Sequence, residues 1–486
     1  MKHLIDDSIT RLARATLLAP FPGAEAPGWL LDELERGLGG VTLFAINGNV
    51  PDNERLAALT AELRKAGDPI ITIDEEGGDV TRLAHLTGSP YPGNAALGAV
   101  DDVELTRRVH RSIGAELTEV GVNLDLAPTV DVNSADDNPI IGIRAFGSDP
   151  ELVARHAAAA VTGLQDAGVA ACAKHFPGHG ATVGDSHLGL PVVDADLDLL
   201  DRRELVPFRA AIAAGTKSVM TAHINLPHLT GSEPATLSHT AVTGLLRERL
   251  GYQGVVVTDA LDMRGASGVI GIPEAAVRAL SAGADLLCLG SQEFAGSVRD
   301  ILAAIVAAVE SGRLPEERLA EAADRIQRLR AWLAESRPTT PRPRSATPEV
   351  GLEAARRAVR HTGELPPLRS PLVVELAAPA NIAAGSVPWG LSPWADEVLR
   401  VDGATVDAAE LLTRATDRSL VIVVRDAHRH PDQRRLAVTL LAARPDAVVV
   451  EMGLPIWLPA ATHIATYGAA RVNGQAAAEL LGLTAR

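Results

Sequence analysis

Apolar residues recur along this chain in two rhythms. Short, nearly uninterrupted runs occupy residues 15–22, 40–45, 70–74, 122–128, 171–176, 218–224, 254–259 and 284–290, as strands buried on both faces must. Between them, residues 51–66, 102–120, 150–167 and 273–282 return apolar positions every three or four residues and read as amphipathic helices. Strand and helix units alternating in this way within one domain predict a (β/α)8 TIM-like barrel over residues 1–335 rather than an open sheet.

The rhythm stops at residues 336–349, where Pro338, Pro341, Pro343 and Pro348 stand among polar residues. That composition predicts a Pro-rich, exposed linker. Beyond it, residues 350–486 carry apolar runs at 372–376, 419–424, 447–452 and 463–467 with a helical pattern at 431–443, the signature of a small α/β/α sandwich. Asp426, His428, His430 and Glu451 show no motif spacing there and read as solvated surface.

A length of 486 residues supports two such domains. A hydrophobic content of 47% with 22% charged residues describes a soluble globular chain, and a formal charge of −16 disfavours nucleic acid or an anionic membrane as partner. No apolar run reaches the ~20 residues a membrane helix needs. The start Met1-Lys2-His3-Leu4-Ile5-Asp6-Asp7 lacks the apolar stretch of a signal peptide, so the expected location is cytoplasmic. Cys172 and Cys288 both lie in apolar segments and read as reduced core residues.

Polar residues then fall at telling places. Asp74, Asp125, Lys174, His175, His223 and Asp259 sit at or near the C-terminal ends of apolar runs, the end of a barrel that carries its active site. The densest stretch is Lys174-His175-Phe176-Pro177-Gly178-His179-Gly180, followed by Asp185-Ser186-His187. Lys174 and His175, adjacent on a strand, should point to opposite faces. His175 and His179 have the spacing of a helical metal pair, but Pro177-Gly178 between them makes a helix and a zinc site poor readings. Lys174 is also a candidate Schiff-base lysine, which would make the chain an aldolase-type lyase. Asp185, two residues before His187, can orient an imidazole and support its protonated form. Asp259 is either a helix cap or a nucleophile for an anomeric carbon; Asp262 is the better helix acid. Asp74 with Arg82, and Arg144 on a turn-rich loop, suit hydrogen bonding to vicinal hydroxyls.

Together, Gly39-Gly40-Val41-Thr42-Leu43-Phe44, Asp74-Glu75-Glu76-Gly77-Gly78, Arg144-Ala145-Phe146-Gly147, the stretch 174–180, Asp185-Ser186-His187 and Thr258-Asp259-Ala260-Leu261 resemble glycoside hydrolase family 3, specifically its bacterial β-N-acetylglucosaminidases of peptidoglycan recycling. The likeness spans roughly residues 10–335. It implies that Asp259 is the nucleophile, His187 the acid/base and Asp185 its orienting partner. Asp74, Arg82, Arg144, Lys174 and His175 then match the residues that bind N-acetylglucosamine. Many members of the wider family instead take their acid/base from a second domain. Position 79 is Asp79, where many relatives have arginine. The implied enzyme is a retaining exo-β-N-acetylglucosaminidase, a hydrolase acting on N-acetylglucosamine-containing oligosaccharides or muropeptides through a covalent glycosyl-Asp intermediate, with no metal or organic cofactor. A phosphorylase using the same residues is the alternative within the family, because a neutral imidazole repels an incoming phosphate less than a carboxylate would.

Overall fold

The computed structural model describes residues 2–292, 294–337, 347–380 and 382–483, with side chains from Ser8 onward. Of the expected linker, residues 338–346 lie outside the described residues. The chain divides into two compact units. One comprises Met1–Glu75, Thr106–Asn138 and Ser148–Ala346; the other comprises Glu76–Leu105, Pro139–Gly147 and Thr347–Arg486. Segments 76–105 and 139–147, which the sequence pattern assigns to the barrel, therefore group with the C-terminal residues.

The first unit holds eight parallel strands: β1 Leu17–Ala19, β2 Gly40–Thr42, β3 Ile70–Ile73, β4 Leu124–Asp125, β5 Ala170–Phe176, β6 Ser218–Thr221, β7 Val255–Thr258 and β8 Leu287–Cys288. Each lies within or against one of the eight apolar runs, and they pair in the order β7-β6-β5-β4-β3-β2-β1-β8. A parallel bridge between Val257 and Leu286 links β7 to the start of β8 and closes the ring. Ile70, Ala170 and Val255 begin their strands and share one apolar cluster with Ile326, Leu329 and Leu333 of the helix Glu316–Ser336. That helix thus seals the N-terminal end of the barrel, leaving the C-terminal end for polar side chains. Cys172 and Cys288 are buried free thiols that burial pushes up to about 12, so both act as core. No helix among the described residues is long and apolar enough to cross a membrane.

The second unit contains β9 Arg360–Thr362, β10 Leu372–Leu376, β11 Val398–Val401, β12 Leu420–Val424, β13 Val448–Glu451 and β14 His463–Ala465, ordered β11-β10-β12-β13-β14-β9. All pairs are parallel except β14 with β9. Leu372, Val374, Leu420 and Ile422 pack on one face with the helix Pro431–Ala443, and Val373, Val421 and Val423 pack on the other with the helix Arg471–Leu480. This alternation makes the expected α/β/α sandwich. β9 and β11 have no counterpart among the apolar runs because both are edge strands: Arg360, His361 and Thr362 are exposed, and β11 is half-exposed around Arg400. Glu451 corrects the surface reading. It is fully buried and accepts the backbone N–H groups of Asp426, Ala427 and Gly453.

Asp79 explains why 76–105 belongs to this unit. Its carboxylate pairs with Arg425 after β12 and accepts the N–H of Ala469 at 3.0 Å. Arg360 donates to Ala99 O, and a Cβ at Gly351 would strike Pro90 O. Arg425 is the counter-ion of the aspartate at position 79.

Candidate active site

The barrel's polar cluster begins beneath its mouth. Asp125, the last residue of β4, is fully buried and accepts the N–H of Glu75. Burial, helped by the neighbouring carboxylates of Glu75 and Asp74, pushes it well above the usual carboxylate range. Lys174 of β5 reaches Asp74, just past β3, with Nζ 2.6 Å from Oδ1. A lysine held as an ammonium against a carboxylate is suited to hydroxyl recognition; a Schiff base needs a neutral, desolvated amine.

His175 departs from the alternation expected of a regular strand. Pairing between β5 and β6 is irregular from Ala173 to Phe176, and such an irregularity re-aims side chains. Lys174 and His175 accordingly both meet carboxylates beyond the C-terminal ends of strands. His175 donates Nδ1–H to Asp131 Oδ2 at 2.7 Å, which fixes the orientation of its ring. Asp131 Oδ1 also accepts the backbone N–H of His179 at 2.6 Å. The loop closes tightly enough that a Cβ at Gly180 would lie 1.9 Å from Val132 O, so only glycine fits there.

Asp185 and His187 form a second Asp–His pair. Asp185 Oδ1 accepts both the backbone N–H and the Nδ1–H of His187, each at 2.8 Å. The ring is thereby fixed with Nε2 outward, and it stays partly exposed (28%). Asp259, half-buried just past β7, accepts the N–H of Ala260 at 2.8 Å. Burial works to raise its carboxyl, but the imidazoles of His223, His175 and His187, with the Ala260 N–H, together hold it below the usual carboxylate range. His223 is fully buried, and burial lowers its pKa; Nε2–H donates to Ala260 O at 3.0 Å, fixing the peptide that follows Asp259. Asp262, expected as a helix acid, instead accepts the N–H groups of Ser291 and Gln292 beyond β8.

Asp74, Lys174, His175, Asp185, His187 and Asp259 therefore lie in one unit and in one electrostatic neighbourhood. Arg82 and Arg144 lie in the other unit. Arg82 donates to the carbonyls of Ala383 and Ala384. Arg144 is buried and makes a two-pronged ion pair with Glu76 at 2.7 and 2.9 Å.

Sequence reasoning missed Asp131 and Glu204. Asp131 had a faint signal, an acid between Val130 and Val132 just after a strand. Glu204 had none. It is buried against Gly178, with Oε1 2.6 Å from Arg203 and Oε2 buried without a hydrogen-bond partner among the described residues. Burial pushes it up to about 7, against the pull of Arg203. With the folded value above the unfolded one, the native state holds the extra proton between about pH 4.5 and 7, and stability falls as pH rises through that window. Glu204→Gln should flatten this part of the profile, so urea unfolding at pH 5 and pH 8 should differ less in the variant than in the parent. An unchanged difference would show that Glu204 is already ionised in the folded chain.

The chain is 33% identical over 439 residues to "Beta-hexosaminidase A" of Pseudoalteromonas piscicida, covering 82% of this chain and 72% of that one. It is 41% identical over 265 residues to "Beta-hexosaminidase LpqI" of Mycobacterium tuberculosis (strain ATCC 25618 / H37Rv), covering 52% and 67%. The solved glycoside hydrolase family 3 β-N-acetylglucosaminidase from Paenibacillus sp. str. FPU-7 superposes with a TM-score of 0.88 at 34% identity, over 98% of this chain and 97% of that one. Residues 22–329 match the sequence model of the "Glycosyl hydrolase family 3 N terminal domain", and the chain belongs to that family.

Proposed function

We propose that this glycoside hydrolase is a β-N-acetylhexosaminidase that removes terminal β-linked N-acetylglucosamine by a retaining double displacement. One observation carries the reading: Asp259 is kept ionised among three imidazoles, one of which, His187, is oriented by Asp185. In the first step Asp259 attacks the anomeric carbon while protonated His187 gives its Nε2 proton to the departing oxygen. The C1–O bond breaks and a glycosyl ester forms. Neutral His187 then takes a proton from water as that water attacks the same carbon, and Asp259 leaves as a carboxylate. Lys174, His175 and Asp74 hold the sugar's hydroxyls. The family resemblance alone assigns Arg82 and Arg144 to substrate binding. Muropeptide or chitin-type fragments are the proposed natural substrates, with the cytoplasm as the proposed site of action.

Support comes from the named relatives, two of them hexosaminidases and one a solved β-N-acetylglucosaminidase. A fluorinated N-acetylglucosaminyl donor that traps the ester should label Asp259 in a peptide digest; a label on another residue would overturn the assignment. Aryl β-N-acetylglucosaminide should be turned over far faster than aryl β-glucoside, with free sugar as product whether or not phosphate is present. Accumulation of sugar-1-phosphate would make the chain a phosphorylase.

A further inference from the structure

His179 takes no part in the chemistry above, yet it is 1% exposed and each of its own polar atoms has a hydrogen-bond partner. Its backbone is held from both sides: Asp131 takes its N–H, and Asn138 Nδ2 donates to its carbonyl at 2.9 Å. The Thr182 hydroxyl gives its single hydrogen to the same carbonyl at 3.0 Å. Thr182 Oγ1 must therefore accept from His179 Nδ1–H, 2.8 Å away. Burial pushes the ring down to about 4, so it is neutral and Nε2 bears a lone pair. Ser186 Oγ lies 3.1 Å from that nitrogen and can only donate to it.

The loop around His187 has little else to hold it. Val183 is 74% exposed and Leu188 70%, whereas Ser186 is 2% exposed and is the one buried residue of 183–190. Its carbonyl also accepts the N–H of Gly265 at 3.3 Å. Asp185 orients the His187 ring, but both residues ride on the same loop, so their mutual hydrogen bonds do not fix where the pair stands relative to Asp259. We infer that His179 and Ser186 form the brace that does so, making both of them positioning residues for proton transfer by His187. This inference rests on the reading of His187 as the acid/base.

The test exploits leaving groups. An acidic phenol departs with little protonation, whereas a poor leaving group needs the acid. Ser186→Ala should lower kcat/KM by about 10- to 100-fold on a phenyl β-N-acetylglucosaminide, a fraction of full acid–base loss. On the 2,4-dinitrophenyl substrate it should fall by no more than about threefold. His179→Gln should follow the same pattern, Ser186→Thr should recover most of the loss, and thermal unfolding of Ser186→Ala should match the parent. Equal loss on both substrates would reduce Ser186 to a structural residue. Parent-like rates in Ser186→Ala, beside a His187→Ala variant selectively impaired on the phenyl substrate, would refute the brace alone. A His187→Ala variant indifferent to the leaving group would instead remove the acid/base reading and the brace with it.

Discussion

Asp259→Asn should lower kcat/KM for an aryl β-N-acetylglucosaminide by on the order of 10⁴-fold or more, with the fold unchanged. The amide keeps the shape of the carboxylate and its acceptor for the Ala260 N–H, but it lacks the charge that forms the ester and meets the positive charge developing at the anomeric carbon. The surroundings add a second, independent readout. His223, His175 and His187 hold Asp259 below the usual carboxylate range against its burial, so activity should persist as pH falls until that depressed value is reached. The acid limb of kcat/KM should therefore lie below that of an ordinary aspartate. Removing one of the three rings, for example by His223→Asn, should move the limb upward, since burial is then less opposed. A loss of less than about tenfold in Asp259→Asn would exclude it as nucleophile.

Much of the barrel's polar cluster is legible in the sequence because a buried parallel strand tolerates polar residues chiefly where it ends. Asp74, Asp125, Lys174, His175, His223 and Asp259 all stand within two residues of, or inside, the C-terminal halves of β3 to β7. What could not be read depends on partners distant in sequence. The pair of His175 with Asp131 spans 44 residues and that of Asp79 with Arg425 spans 346, and neither residue type nor spacing announces them. The grouping of 76–105 and 139–147 with the C-terminal residues was hidden for the same reason. Continuity of chain suggested one domain, while Asp79, Arg82 and Gly351 draw the segment to another. The irregular pairing of β5 with β6 left no trace in residues 171–176, which read as one buried strand.

Asp285→Asn should be the most destabilising single polar substitution among those considered, costing about 3–5 kcal/mol while leaving kcat/KM of the folded fraction intact. Asp285 is fully buried just before β8 and gathers three guanidiniums. Arg247 and Arg318 (2.6 Å) pair with it closely, Arg325 lies at 3.3 Å, and the Val256 N–H donates to Oδ2 at 2.9 Å. One carboxylate thus ties a strand of the barrel wall to the helical segment Thr240–Arg249 and to the helix Glu316–Ser336 that closes the barrel's lower end. Glu321 shares the load on Arg318 and Arg325, but it is half exposed (49%) and cannot replace the buried charge. Without Asp285, Arg247 would stay buried with its counter-ion gone and Arg325 would keep only the half-exposed Glu321, which is where the cost of breaking a buried pair arises. Asp201 provides the contrast: it also pairs with two arginines, Arg209 and Arg249, but both are more than 40% exposed. Asp201→Asn should therefore cost less than about 1 kcal/mol. Urea unfolding of the two variants side by side, followed through the barrel's transition, decides the matter. Equal losses would mean that the three-arginine cluster is sustained by its backbone contacts rather than by the buried charge.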